Sequence, residues 1–244
     1  MTSGPVRFAR YAYPPNALGY CGPSESAELF ERAQTGADSA GLRRLVRGFE
    51  GAWPYLALIG VCTGRDPLDP AVVEAYWVGN ALLDRVTARR LHTSMGDRFR
   101  HRLGDASWAG LDATFGAQAR PHHGFHVFVI YPWVGLLRGG RVEEPLRVLD
   151  RCRIRWGQVV ALDGTTAQVR FQPLLWDGRH LGLGPTRIET VRCVANVGVG
   201  DWCSLHWDWV CEVLDARGLA QLRHRTAQQL AVVNAAPAPA PALT

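Results

Sequence analysis

The sequence has no C-x-x-C pair among its six cysteines, Cys21, Cys62, Cys152, Cys193, Cys203 and Cys211. That excludes zinc ribbons and thioredoxin-like redox motifs. It has no glycine-rich phosphate loop, no nucleophile-elbow or triad motif and no H-E-x-x-H, so no motif supports an enzyme. The first ten residues lack the apolar segment of a signal peptide. The longest apolar runs, 52–62 and 127–137, fall short of the roughly 20 residues that a membrane-spanning helix needs. The expectation is a cytoplasmic, non-catalytic protein without a membrane partner, its cysteines held as thiols.

What is present is ordinary globular composition. Hydrophobic residues make up 47% of the 244 and charged residues 20%, enough apolar surface for a packed core. The formal net charge is +5. A nucleic-acid binder concentrates such charge in a patch, whereas here the arginines are spread along the chain except at Arg151, Arg153 and Arg155. Nucleic acid is therefore not the expected partner.

The hydrophobic period divides the chain. Residues 1–22 read as irregular, punctuated by Pro14, Pro15, Gly19 and Gly22. Helices are predicted over 24–34, over 40–51 with Leu42, Leu45, Val46 and Phe49 on one face, and from Pro54 through Cys62. A longer helix is predicted from Pro70 to about residue 90, capped by Asp69. Weaker helical stretches fall at 95–103 and 111–117. Residues 127–130 read as a β-rich run. After Gly139-Gly140 the chain becomes strand-like. A hairpin is predicted over 158–162 and 167–171 around Asp163-Gly164, a pair suited to a type I′ turn. Further strands are predicted at 174–176, 187–194 and 201–210, then a helix from Asp215 to about residue 233 and an Ala-Pro tail at 235–244. The fold class expected is α+β, with a mainly helical region over 1–145, then a small OB-like β-barrel with its C-terminal helix over 150–233.

Two residues stand out in the second part. In a continuous strand through 201–210, Cys203, Leu205, Trp207, Trp209 and Cys211 would share one apolar face. Trp202, Ser204, His206 and Asp208 would share the other, so His206 points away from the barrel core. Cys203, Cys211 and Cys193 read as buried apolar thiols. Cys152 differs, because Arg151 and Arg153 flank it and neighbouring cations favour a thiolate.

These residues carry a resemblance. Cys152-Arg153-Ile154-Arg155-Trp156-Gly157-Gln158-Val159, then Asp163-Gly164, then Val199-Gly200-Asp201-Trp202-Cys203-Ser204-Leu205-His206 and a closing helix resemble the HypC/HupF hydrogenase-maturation chaperones. Members of that family open on Cys-x-x-x-Pro-Gly-x-Val and place a histidine in a later strand. The resemblance covers about a third of the chain. It implies an OB-like barrel in which Cys152 and His206 handle iron with the scaffold protein HypD, and deliver an Fe(CN)2CO unit to the precursor of a [NiFe]-hydrogenase large subunit. A thiolate and an imidazole suit low-spin iron bearing diatomic ligands. Arg151, Arg153, Trp156 and Asp208 are the secondary candidates beside that pair. The whole chain also resembles uncharacterised proteins associated with actinobacterial-type uptake hydrogenases. It departs from the chaperone pattern at three points: residues 1–151 precede the cysteine, Trp156 stands where the family has proline, and Trp207-Asp208-Trp209 replaces a glycine-containing segment.

The first part carries one further cluster, Pro121-His122-His123-Gly124-Phe125-His126. Three imidazoles can bind a metal, which opens an alternative, a metal-dependent enzyme using His122, His123 and His126. The other alternative is an OB-like single-strand binding module using Trp156, Trp176, Trp202 and the arginines.

Overall fold

A computed structural model describes residues 2–103 and 119–235. The stretch expected to be helical at 111–117 and almost all of the expected tail at 235–244 lie outside the described residues. The chain is α+β: helices first, then a closed five-stranded barrel, then a long helix.

The N-terminus departs from expectation at once. Residues 1–22 are not irregular, because α1 spans Gly4–Ala17 and absorbs Pro14 and Pro15 in its last turns. Val6, Phe8, Ala9, Tyr11 and Ala12 form its buried face, and that burial outweighs the cost of prolines so near the helix end. The prolines leave a mark, since Pro15 has no N–H to offer the carbonyl of Tyr11 one turn back. The next helices follow their sequence signals. These are α2 (Ser26–Thr35), stopped by Gly36 at φ +70°, α3 (Ala40–Arg47), capped by Ser39, and α4 (Trp53–Thr63). α5 (Pro70–Trp77) is capped by Asp69, whose side chain accepts from the Ala71 N–H at 2.8 Å.

The single helix expected from Pro70 to residue 90 is broken. Gly79 takes φ +100°, and a Cβ there would lie 2.7 Å from the Arg225 side chain. Asn80 then caps a 3-10 turn at Ala81–Arg85, and α6 runs over Ala88–Leu103. The expected strand at 127–130 is also absent. A helical turn at His123–Phe125, capped by the His122 side chain, feeds a π-helical turn at His126–Ile130. Burial of Val127 and Phe128 against neighbouring helices overrides their β-propensity. Nor does the chain become strand-like after Gly140, because α7 (Trp133–Arg138) and α8 (Glu143–Cys152) intervene.

The barrel consists of β1 (Arg155–Asp163), β2 (Thr166–Phe171), β5 (Arg187–Cys193), β6 (Trp202–His206) and β7 (Trp209–Val213). Its order is β1-β2-β5-β7-β6, closed by β6 on β1, with β5 and β7 parallel. This is the order of an OB-type barrel. A separate hairpin of β3 (Leu174–Trp176) and β4 (Leu181–Leu183) spans the β2–β5 connection. At the β1–β2 turn only Gly164 takes positive φ, with Thr165 beside it. The expected type I′ turn, which needs positive φ at both central positions, is therefore not formed.

Residues 201–210 do not form one strand. The chain reverses at Trp207-Asp208, so β6 pairs antiparallel with β7. The reversal resets the alternation. Cys203, Leu205 and Val210 fill the barrel with Val159, Val169, Phe171 and Val191. Cys211 turns outward into the helical core, together with Trp156, Val194 and the α9 (Ala216–Ala235) residues Leu219 and Leu222. The outer wall of the barrel and the helices thus share one core, and the site lies where they meet.

Candidate metal site at the barrel–helix junction

Three elements bring three side chains together. α8 ends on Cys152, β6 ends on His206, and the helical turn after His122 begins with His123. One ligand atom from each lies within 4.8 Å of those of the other two, and all three residues are buried. The two imidazole rings sit 5.1 Å apart, nearly perpendicular. Trp77 packs on both, at 4.6 and 5.6 Å.

Hydrogen bonds fix the orientation of each imidazole. His206 Nδ1 lies 2.6 Å from the Tyr11 carbonyl, and His123 Nε2 lies 2.8 Å from the Cys152 carbonyl. A carbonyl only accepts, so these nitrogens carry the protons and the lone pairs are on His206 Nε2 and His123 Nδ1. His206 Nε2 is buried without a partner. His123 Nδ1 has the Tyr76 hydroxyl at 3.3 Å. A metal-binding histidine typically has its second N–H donated to a carbonyl in this way. The Tyr11 carbonyl is available because Pro15 cannot donate to it.

Burial keeps the cluster uncharged. It pulls His123 down to about 4 and His206 well below its ordinary value, with His123 adding to the effect. Burial, and then the neighbouring Cys21 thiol, pushes the Cys152 thiol up. The flanking arginines do not reverse this. Arg151 pairs with Asp208 and with Glu189 at 3.4 Å, and Arg153 pairs with Asp150 at 3.0 Å. The arginine-stabilised thiolate expected from the sequence is therefore not formed. A cation binding at the cluster would have to displace the Cys152 proton.

The cluster opens on a cavity of about 300 Å³ lined by Tyr20, Cys21, Tyr76, Trp77, His126, Tyr131, Trp133 and Trp207 among others, with no Asp, Glu, Lys or Arg in its wall among the described residues. The indole N–H groups of Trp77 and Trp207 are buried without acceptors. Trp207 holds φ +52°, the one positive φ outside glycine among the described residues. A tryptophan thus occupies a backbone position that favours glycine, at a cost of about 1–2 kcal/mol. Burial and a 4.5 Å stack on Tyr20 offset it. Arg155, fully buried, bonds to the Trp207 carbonyl and pairs with Glu189 at 2.7 Å, which ties the turn to the barrel.

The remaining candidates lie outside the three-residue cluster, His126 in the wall of the cavity beside it. His122 Nδ1 accepts from the Gly124 N–H at 3.0 Å, and His126 Nδ1 meets the Tyr55 hydroxyl at 3.1 Å. Neither belongs to the cluster, so the three histidines near residue 122 do not converge on one ion. Trp156 packs into the helical core with Arg153 and Arg223 against its ring, and Arg223 also covers Trp202. Neither ring is an open platform for a base. Asp208 serves as the Arg151 partner. Joining His123 to Cys152 and His206 was beyond sequence reasoning: the histidine run was visible, but no period connects it to a residue in β6.

The arrangement is that of an α+β protein with a barrel–helix junction built around a two-histidine, one-cysteine cluster. The chain belongs to a family of unknown function (DUF6390), whose family model matches residues 1–240. Searches of curated proteins and of solved structures return no match. Among the described residues no helix is long and apolar enough to cross a membrane.

Proposed function

We propose that this protein is a metal-handling maturation factor of the HypC type, which holds an iron unit at Cys152, His206 and His123 and passes it to a [NiFe]-hydrogenase large-subunit precursor. One observation carries the reading. Cys152 and His206 are the two residues that the resemblance singles out, and they lie in one buried cluster with a third metal-type ligand. Thiolate and imidazole donors suit iron, zinc and neighbouring first-row ions.

The cargo fits by count and by surroundings. Three protein donors and three diatomic ligands make six, the number that low-spin iron takes. An uncharged, aromatic wall suits cyanide and carbon monoxide carried on a metal, and the two unpaired indole N–H groups can donate to cyanide nitrogens.

The test is affinity capture from hydrogenase-expressing cells, with wild type compared against Cys152→Ala. Recovery of a large-subunit precursor or a HypD-type scaffold with wild type alone supports the reading. Equal recovery with both forms counts against it. Capture of single-stranded nucleic acid that falls away steeply with salt would favour the binding-module alternative.

A further inference from the structure

The cluster supplies three ligands, one fewer than a closed tetrahedral site requires. The cavity beside it is lined by a second thiol, Cys21, on the loop between α1 and α2. That loop is built to hold residue 21 over the cavity. Asn16 Nδ2 donates to the carbonyls of Cys21 and Pro23, at 2.8 and 2.6 Å. The Tyr20 ring is stacked on Trp207, the neighbour of His206. Gly22, at φ +83°, lies against Phe49 so closely that a Cβ would meet its ring at 2.3 Å. The backbone is thus pinned on both sides of Cys21 while its side chain remains half-buried.

We propose that Cys21 is a fourth, conditional ligand, which converts the three-ligand cluster into a closed Cys2His2 site for a divalent first-row ion. The proposal rests on the metal-handling reading above and concerns the same cluster when it holds an ion without diatomic ligands. The Cys21 sulfur does not belong to the cluster as it stands, so closure requires rotation of the side chain toward His206 Nε2, the buried nitrogen that has no partner. In that step the Cys21 S–H gives its proton to solvent water, a sulfur–metal bond forms, and the water or other exogenous ligand in the fourth position leaves. There is no redox change. A closed site holds the ion, and an open one leaves a position free for transfer.

The experiment uses cobalt(II) as an anaerobic probe on the full chain, because thiolate-to-cobalt charge-transfer absorption scales with the number of bound thiolates. The expected result for Cys21→Ser is a charge-transfer band of about half the wild-type intensity and cobalt affinity weaker by tenfold or more. Cys21→His should recover the affinity but not the intensity, and melting curves of both variants verify the fold. A Cys21→Ser band equal to wild type, with the band lost in Cys152→Ser, overturns the fourth ligand and leaves the three-ligand reading intact. No band in wild type, or one unchanged in Cys152→Ser, overturns both.

Discussion

Pro15→Ala is the variant that most sharply separates the role of α1 in the site from its role in the fold. Proline at 15 deprives the Tyr11 carbonyl of its intrahelical donor, and its ring crowds that carbonyl away from the helix axis. The freed oxygen accepts a hydrogen bond from the His206 Nδ1–H, with the nitrogen 2.6 Å away. Alanine restores an N–H that competes for the same oxygen. Loss of an outer-shell partner typically weakens metal binding 10–100-fold. Because the carbonyl would be shared rather than removed, the lower end applies: about tenfold, or about 1.4 kcal/mol. Stability should move differently. Alanine suits a helix interior better than proline by up to about 3 kcal/mol, set against about 0.4–1 kcal/mol lost through a freer unfolded chain. The expected outcome is a melting temperature equal to or above wild type, with cobalt or zinc affinity about tenfold lower in competition with a chromophoric chelator. Affinity within twofold of wild type would refute the idea that Pro15 orients His206. A fall in affinity matched by a fall in melting temperature would mean that the effect is structural.

Other outcomes follow from the same geometry. Gly157→Ala would place a Cβ 2.4 Å from Val169 Cγ1 and 2.8 Å from the Arg170 carbonyl. It should cost about 1–3 kcal/mol by overpacking, measured by denaturant titration, and a neutral result would show that the β1–β2 spacing is looser than described. In metal-free protein, His122 and His123 are held down to about 3 and about 4 by burial. Both remain neutral in the folded state while the unfolded chain takes up protons near pH 6.5. Their contribution is therefore fully present above that pH and is lost as the pH falls toward 4. Between pH 7 and 5 the loss is about 2 kcal/mol for each, roughly 4 kcal/mol together. A melting temperature constant over that range would contradict their burial as neutral rings. Arg155→Leu leaves the partly buried Glu189 with only the more distant Arg151 and frees the Trp207 carbonyl, so a loss of about 2–3 kcal/mol is expected from thermal melts. A change under 1 kcal/mol would show that Arg151 alone holds the turn.

The barrel was legible in the sequence because its strands alternate and its turns carry their own residues, as at Gly164 and across 167–171. The helices with caps, such as Ser39 before α3 and Asp69 before α5, were equally readable. Where tertiary contacts decide, local signals misled. Pro14 and Pro15 suggest irregular chain, yet the buried face of α1 keeps it helical. Val127 and Phe128 suggest a strand, yet packing makes them a π-helical turn. Trp207 gave no turn signal, since nothing local marks a tryptophan for positive φ. The candidate cluster was half legible: Cys152 and His206 were singled out by motif order, and His123 lay in a histidine run with no visible partner. The Tyr11 carbonyl and the Cys21 loop belong to a region that the resemblance does not cover, so their proximity arises only when the helices close over the barrel.

The most direct test of the central claim is an anaerobic titration of the purified full chain with cobalt(II), followed by elemental analysis, for wild type and for Cys152→Ser, His206→Ala and His123→Ala. The account predicts one tightly bound ion per chain with a sulfur charge-transfer band, the band lowered by at least half in Cys152→Ser and the affinity lowered at least tenfold by each histidine variant. Stoichiometric binding that none of the three variants disturbs, or no binding by a folded wild type, would contradict it.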